Sequence, residues 1–239
     1  MDKIGNPREP APASEPTLTA VAYAKLSRDV LEGRLQPGTK LKVNHLAEHY
    51  ALGGTPIREA LLLLSSEGLV VSSQRTGFRV ADISIDDLRD IALLRTTVER
   101  EALRLAIAKG GDVWEGEIAS ALHQLGLAAA RAAAEIIDMD AFELAHRRFH
   151  MALIAACGSE RMLALCGLYF DQASRYRRLL NTLLARGAEA FEREHRKLAT
   201  AVLARDADGA VALLERHLAM PVQRAEKMLA SRAGDSKSR

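Results

Sequence analysis

From Ile85 to about residue 231, apolar residues recur at three- and four-residue steps, the spacing of one helix face, and alternating stretches are missing. A segment this long with that pattern folds as helices packed on one another. Its interruptions are small: Gly110-Gly111, Ile136 to Asp138, Gly158-Ser159, Ala185 to Gly187 and Asp206 to Gly209. They predict helices near 85–109, 112–134, 138–157, 159–182, 187–205 and 207–231. Pro221, inside the last of these, predicts a kink or a break near Met220. The closing GDSKSR reads as a frayed tail.

The pattern before Ala81 is different. Leu18, Val21, Ala22, Leu26, Val30 and Leu31 form a first helical stripe, ended by Gly33 and Pro37-Gly38. A short helix follows around Val43 to Tyr50. After the Gly53-Gly54 turn, Thr55 suits an N-cap, Pro56 the first helical position, and Ile57, Ala60, Leu61 and Leu64 an inward stripe. Two short helices across a tight glycine turn predict a helix-turn-helix. Leu69 to Val71 and Phe78 to Val80, flanking the turn Ser73 to Gly77, predict a β-hairpin wing. The expected fold is therefore mainly α: a winged helix-turn-helix over 18–81, then an all-α bundle over 85–232, with tails at 1–17 and 233–239.

The 239 residues carry 33 Lys and Arg against 31 Asp and Glu, a net charge of +2 that excludes a polybasic chain gripping phosphate over its whole surface. The distribution says more. Residues 18–81 hold eight basic side chains and five acidic ones, the first 17 residues have one excess acid, and residues 82–239 balance. The positive excess thus falls in the winged segment. No apolar run approaches the roughly 18 residues of a membrane span. The N-terminal stretch MDKIGNPREPAPASEPT lacks the pattern of a secretory signal and reads as disordered, so a cytoplasmic location is expected. Cys157 and Cys166 fit no metal or redox spacing and read as core residues.

Arg58, one turn into the third helix, stands where a recognition helix meets base edges, and its guanidinium can take guanine O6 and N7 together. Thr55 and the helix N-terminus suit phosphate. Arg75 and Thr76 lie at the wing tip, where Gly77 lets backbone approach a groove, and Lys42 and Asn44 begin the second helix. The simpler reading of each alone is a solvated surface residue; the set is expected to bind double-stranded DNA.

In the bundle, five polar side chains occupy inward stripes. Arg95 falls within Leu88, Ile91, Val98 and Ala102. His146 and His150 share a face with Phe142, Phe149 and Leu153, being four residues apart. His195 lies with Phe191, Leu198 and Val202, and His217 with Ala210, Leu214 and Pro221. If the last two helices are antiparallel about a turn near residue 206, His195 and His217 stand level. Four imidazoles so arranged could hold Zn²⁺, Ni²⁺ or a similar divalent ion. The alternative is four ordinary hydrogen-bonded core histidines. His45, His49 and His123 have no matching partners.

The chain resembles the GntR family of bacterial transcription regulators. The resemblance is carried by Gly33-Arg34-Leu35-Gln36-Pro37-Gly38, Leu46-Ala47, Thr55-Pro56-Ile57-Arg58-Glu59-Ala60-Leu61, Glu67-Gly68-Leu69-Val70 and Gly77-Phe78-Arg79-Val80. Gly53-Gly54 stands where the family usually has Ser-Arg, so the usual operator sequence does not transfer. The helical half resembles the FCD effector domain of the FadR branch. That resemblance implies His150, His195 and His217 as metal ligands, His146 replacing the usual acid, and Arg95 as holder of a carboxylate effector. Within the branch, stretches such as His146-Arg147-Arg148-Phe149-His150 and Ala173-Ser174-Arg175-Tyr176 look like the CsiR group. That group implies a C5 dicarboxylate, glutarate or 2-hydroxyglutarate.

One carboxylate would meet the metal and Arg95, while Gln172, Arg175 and Tyr176, on one side of their helix, are candidates for the far carboxylate; packing or dimer contact is the competing role for these three. The expected protein is a homodimeric repressor on an inverted repeat, released by the acid. A metal sensor and a metal-dependent hydrolase are the rivals, the latter disfavoured by the lack of an inward acid spaced as a general base.

Overall fold

The computed structural model describes residues 15–73, 75, 77–133, 139–179 and 187–237. Helix α1 (Leu18–Leu31) starts at Thr17, whose hydroxyl accepts the Ala20 N–H at 3.1 Å. Strand β1 (Lys40–Leu41), α2 (Val43–Tyr50), α3 (Gly54–Ser66), β2 (Val70–Ser73) and β3 (Gly77–Val80) follow. The strands form an antiparallel sheet in the order β1-β3-β2, with Val70 opposite Val80 and Leu41 opposite Phe78. The hairpin is the predicted one. The third strand was not predicted, because two residues are too few to show alternation.

One detail of the helix-turn-helix differs from expectation. Helix α3 begins at Gly54 with the extended Gly53 at the capping position, so Thr55 lies inside the first turn and is not the cap. Pro56 is tolerated there because first-turn N–H groups have no intrahelical acceptor. Leu26, Ile57, Leu61, Leu64 and Val80 are fully buried together and hold the unit on its own core.

The second unit consists of α4 (Ile85–Lys109), α5 (Asp112–Ala133), α6 (Met139–Ile154), a short 3-10 turn (Ala155–Cys157), α7 (Glu160–Leu179), α8 (Ala188–Leu203) and α9 (Ala207–Lys237). Ser84 caps α4 by accepting the Asp87 N–H. The six predicted helices are present; the predicted breaks at Ile136 to Asp138 and at 185–186 lie outside the described residues. Helix α9 is not broken at Met220. It runs through Pro221 to Lys237 and absorbs most of the predicted C-terminal tail, since one proline removes a single ladder hydrogen bond while the flanking turns keep theirs. Leu103, Ile118, Leu125, Phe142, Phe149 and Leu153 centre the core. Both cysteines are buried, and burial pushes the Cys166 thiol up to about 12, in keeping with a packing role.

The α8–α9 hairpin is anchored at its turn. Arg205 adopts a left-handed conformation (φ 59°) and donates to the carbonyls of Ile107 (2.7 Å) and Gly110 (2.9 Å), pairs with Glu115, and stacks 5.1 Å from the Trp114 ring. Gly110 has no room for a side chain: a Cβ there would lie 2.1 Å from the Trp114 ring. Among the described residues no helix is long and apolar enough to cross a membrane.

Candidate effector and metal site

The i, i+4 spacing on α6 brings His146 and His150 together, their Nε2 atoms 3.1 Å apart. The α8–α9 hairpin sets His195 level with His217, ring centroids 4.7 Å apart, as its symmetry predicts. His195 Nε2 is also 3.1 Å from His146 Nε2. One ligand atom from each of the four rings lies within 4.8 Å of the others. His146, His150 and His195 are buried, and His217 is largely so.

The tautomers follow from the surroundings. His195 Nδ1–H donates to the Phe191 carbonyl at 2.7 Å, which leaves its Nε2 lone pair aimed at the cluster. His217 Nδ1 lies 3.9 Å from Glu194, and His146 Nδ1 lies 4.0 Å from Glu143. Burial, reinforced by the neighbouring imidazoles and by Arg177, holds His146 well below the usual histidine range. Burial together with His217 and Arg95 does the same for His150, and burial lowers His217 against the opposing pull of Glu194.

Neutral imidazoles with converging lone pairs repel unless a proton or cation lies between them. Nε2 separations of 3.1 Å are close to the edge of about 3.3 Å between nitrogens that share a zinc at its usual bond length. Among the described residues the buried Nδ1 atoms of His146 and His150 have no hydrogen-bond partner, a cost that a purely structural role leaves unmet. The four-nitrogen set fits a borderline-soft divalent ion such as Zn²⁺ or Ni²⁺.

Beside the cluster opens a cavity of 490 Å³ lined by Arg95, His146, Arg177, His217, Arg224 and Lys227, among others. Among the described residues its walls carry four cationic side chains and no carboxylate. Two acids stand behind the arginines: Glu99 accepts from Arg95 Nε at 2.7 Å, and Glu143 accepts from Arg177 Nη2 at 2.7 Å. Both guanidinium groups face the Phe170 ring, at 5.0 and 4.2 Å from its centroid. Arg95 Nη2 and Arg177 Nη1 are buried with no hydrogen-bond partner among the described residues. A buried charged donor in that condition is costly, and an anion in the cavity removes the cost.

Arg95 therefore lies where the sequence put it, but Gln172, Arg175 and Tyr176 do not line the cavity. They are on another side of α7: Gln172 and Arg175 reach the winged unit, and Tyr176 reaches the start of α4. Gln172 Nε2 donates to the Glu67 carbonyl (2.6 Å), Arg175 donates to the Ala81 carbonyl, and Tyr176 donates to Asp87 (2.5 Å) while accepting the Ser84 N–H (3.2 Å). The polar residue of α7 that does reach the cavity is Arg177. Its signal was the stripe Cys166, Phe170, Ala173, Arg177, which repeats at four, three and four residues.

On the winged unit, Lys42, Asn44, Thr55, Arg58, Arg75 and Gly77 are all exposed, and Thr76 lies outside the described residues. Arg58 makes no ion pair among the described residues. The chain thus has a winged helix-turn-helix with an exposed cationic face, joined to a helical unit with an arginine-lined cavity: the organisation of a DNA-binding regulator.

Comparison with known proteins gives the family. Residues 18–80 match "Bacterial regulatory proteins, gntR family" and residues 90–220 match "FCD domain". The chain belongs to the GntR family of bacterial regulators, with a helix-turn-helix of that type followed by an FCD domain. It is similar to the HTH-type transcriptional repressor GlaR of Escherichia coli (strain K12), 38% identical over 86% of this chain and 95% of that one. It is also similar to the HTH-type transcriptional regulator BphR of Paraburkholderia xenovorans (strain LB400), 36% identical over 91% and 89%. These relatives are transcription regulators, not enzymes, which removes the hydrolase reading. The fold is that of E. coli McbR/YncC (TM-score 0.73, 22% identity, 92% of this chain and all 100% of that one). A GntR regulator from Rhodococcus sp. RHA1 shares it too (TM-score 0.70, 21% identity, 87% and 97%).

Proposed function

We propose that the protein is a homodimeric transcriptional repressor that binds an inverted-repeat operator and is released by a small dicarboxylate, glutarate or 2-hydroxyglutarate, in a metal-containing pocket. The observation that carries this reading is the cavity in which buried, unpartnered guanidinium nitrogens of Arg95 and Arg177 flank a four-histidine cluster. The repressor role is supported by the similarity to GlaR, and the C5 acid by the resemblance of the helical stretches to the CsiR group.

On the DNA side, Arg58 would read base edges, Thr55 and the first turn of α3 would hold phosphate, and Arg75, Thr76 and Gly77 would reach a groove at the wing tip. Lys42 and Asn44 would add backbone contacts at the start of α2. Within the helical unit, His146, His150, His195 and His217 would hold Zn²⁺ or a similar ion, which when bound supplies a cationic centre for one effector carboxylate. Arg95, kept in place by Glu99 and Phe170, would orient that carboxylate through its free nitrogen.

A mobility shift on DNA upstream of the protein's own gene, with and without each acid, tests both halves. Retarded DNA at moderate salt, freed by C5 diacids, is the expected result; DNA that never shifts refutes the repressor, and a complex indifferent to every C4–C6 diacid refutes the effector. Because the histidine cluster alone can couple to α8 and α9, a second reading is a metal-responsive regulator. In that case chelation alone changes DNA affinity, with no acid present.

A further inference from the structure

The cavity carries a second guanidinium group with a buried nitrogen that has no hydrogen-bond partner among the described residues. Arg177 repeats the design of Arg95 on a different helix: one edge of its guanidinium is held by a buried acid (Glu143, 2.7 Å), its face lies on Phe170 (4.2 Å), and Nη1 is left buried and unpartnered. Arg95 comes from α4 and Arg177 from α7, so two guanidinium groups supplied by different elements pack on one phenyl ring. A single carboxylate satisfies the free nitrogen of one of them and leaves that of the other without a partner. A ligand with two anionic ends satisfies both.

Arg177 also sits on the helix that grips the winged unit. Gln172 and Arg175 of α7 bond to Glu67 and Ala81 of the winged unit, while Tyr176 bonds to Ser84 and Asp87 at the start of α4. A force on Arg177 acts on the same rigid element that meets the end of α3. A force on Arg95 acts on α4 instead.

We infer that Arg177 is the specificity residue that takes the second carboxylate of a dianionic ligand, so that diacids bind more tightly than monoacids of equal length and alone release DNA. This rests on the effector reading above and names the side chain that makes the ligand a diacid.

The test compares glutarate with pentanoate by isothermal titration and by release of labelled operator DNA, using the full-length, metal-loaded protein. The wild type should bind glutarate at least about tenfold more tightly, the scale of one charged hydrogen bond. Because Arg177→Gln alone strands the buried Glu143 charge, the variant is the double Glu143→Gln, Arg177→Gln, with Arg177→Lys as a charge-retaining control and circular dichroism to verify folding. The double variant should bind the two acids equally, at about the affinity of wild type for pentanoate, and should keep its DNA affinity while losing release. The lysine variant should keep part of the preference. A folded double variant that still prefers glutarate tenfold overturns the inference while leaving the effector reading intact. A wild type that binds neither acid defeats the effector reading itself, and this inference with it.

Discussion

Gln172 Nε2 donates to the main-chain carbonyl of Glu67 at 2.6 Å, tying α7 of the helical unit to the residue that closes α3. Just beyond, Gly68 has φ +71° and a Cβ position 3.1 Å from the same Gln172 nitrogen, so the approach is as close as the backbone allows. The contact joins the cavity-lining helix to the base of the recognition helix through one bond.

Replacing Gln172 with Ala should therefore weaken communication more than stability. The lost bond is worth about 0.5–1.5 kcal/mol. Thermal melts should fall by a few degrees at most, and operator affinity without acid should stay within about threefold of wild type, since the residue is far from the DNA face. The acid concentration needed for half-release should rise by about threefold to tenfold, the span of a coupling free energy of this size. Superimposable release curves for variant and wild type, followed by fluorescence anisotropy, would show that the coupling runs elsewhere.

Arg58 and Lys42 separate base reading from backbone attraction. Arg58→Ala should cost about 1–3 kcal/mol on the operator and relax specificity at one base pair. Lys42→Ala should weaken binding evenly across sequences and reduce the salt slope by about one unit. Titrations of operator and scrambled DNA at several salt concentrations distinguish the two. Equal losses on both DNAs for Arg58→Ala would mean that it only contacts phosphate.

Metal occupancy should appear as stability. An ion held by the four histidines at a hundredfold over its dissociation constant adds about 2.7 kcal/mol to the folded state. Chelation should lower the melting temperature, Zn²⁺ or Ni²⁺ should restore it, and His195→Ala should respond to neither. A melting curve unmoved by either ion in the wild type would return the cluster to a packing role.

The helices were legible because their polar interruptions are few and their stripes long, and the histidines because each lies on an otherwise apolar face. Arg95 was found for the same reason. On α7 that logic failed, because the helix is buried on more than one side: Arg177 lines the cavity, while Ala173 and Tyr176 pack with Leu88 and Ile91, and Ser174 and Arg175 are buried too. Periodicity shows that a residue is buried but not against which neighbour, so it does not separate Gln172 and Arg175, which reach the winged unit, or Tyr176, which reaches the start of α4, from residues that face the cavity. Strand β1 was too short to leave a pattern, and Gly53 rather than Thr55 precedes α3 because a glycine at that position takes the extended geometry as readily as a capping side chain would.

Tyr50 and Asp29 give the winged unit an acid-sensitive joint. The Tyr50 hydroxyl donates to Asp29 Oδ2 at 2.5 Å, and Arg34 Nε donates to the other carboxylate oxygen at 2.7 Å. Burial opposes ionisation of Asp29, but these two donors outweigh it and hold the carboxyl below its usual range. A carboxylate whose pKa is depressed by folding stabilises the fold fully above the unfolded value of about 3.9 and loses that contribution as pH falls through the depressed value. Tyr50→Phe removes one donor and so raises the folded-state pKa. At neutral pH the variant should be less stable by about 1–2 kcal/mol, and the gap should narrow once the pH drops below about 4, because protonated Asp29 gains less from the hydroxyl in either protein. Urea unfolding of the full chain followed by circular dichroism across pH 3–7 measures both. A difference that stays constant over that range would mean that Tyr50 contributes through packing of its ring, independently of the charge on Asp29.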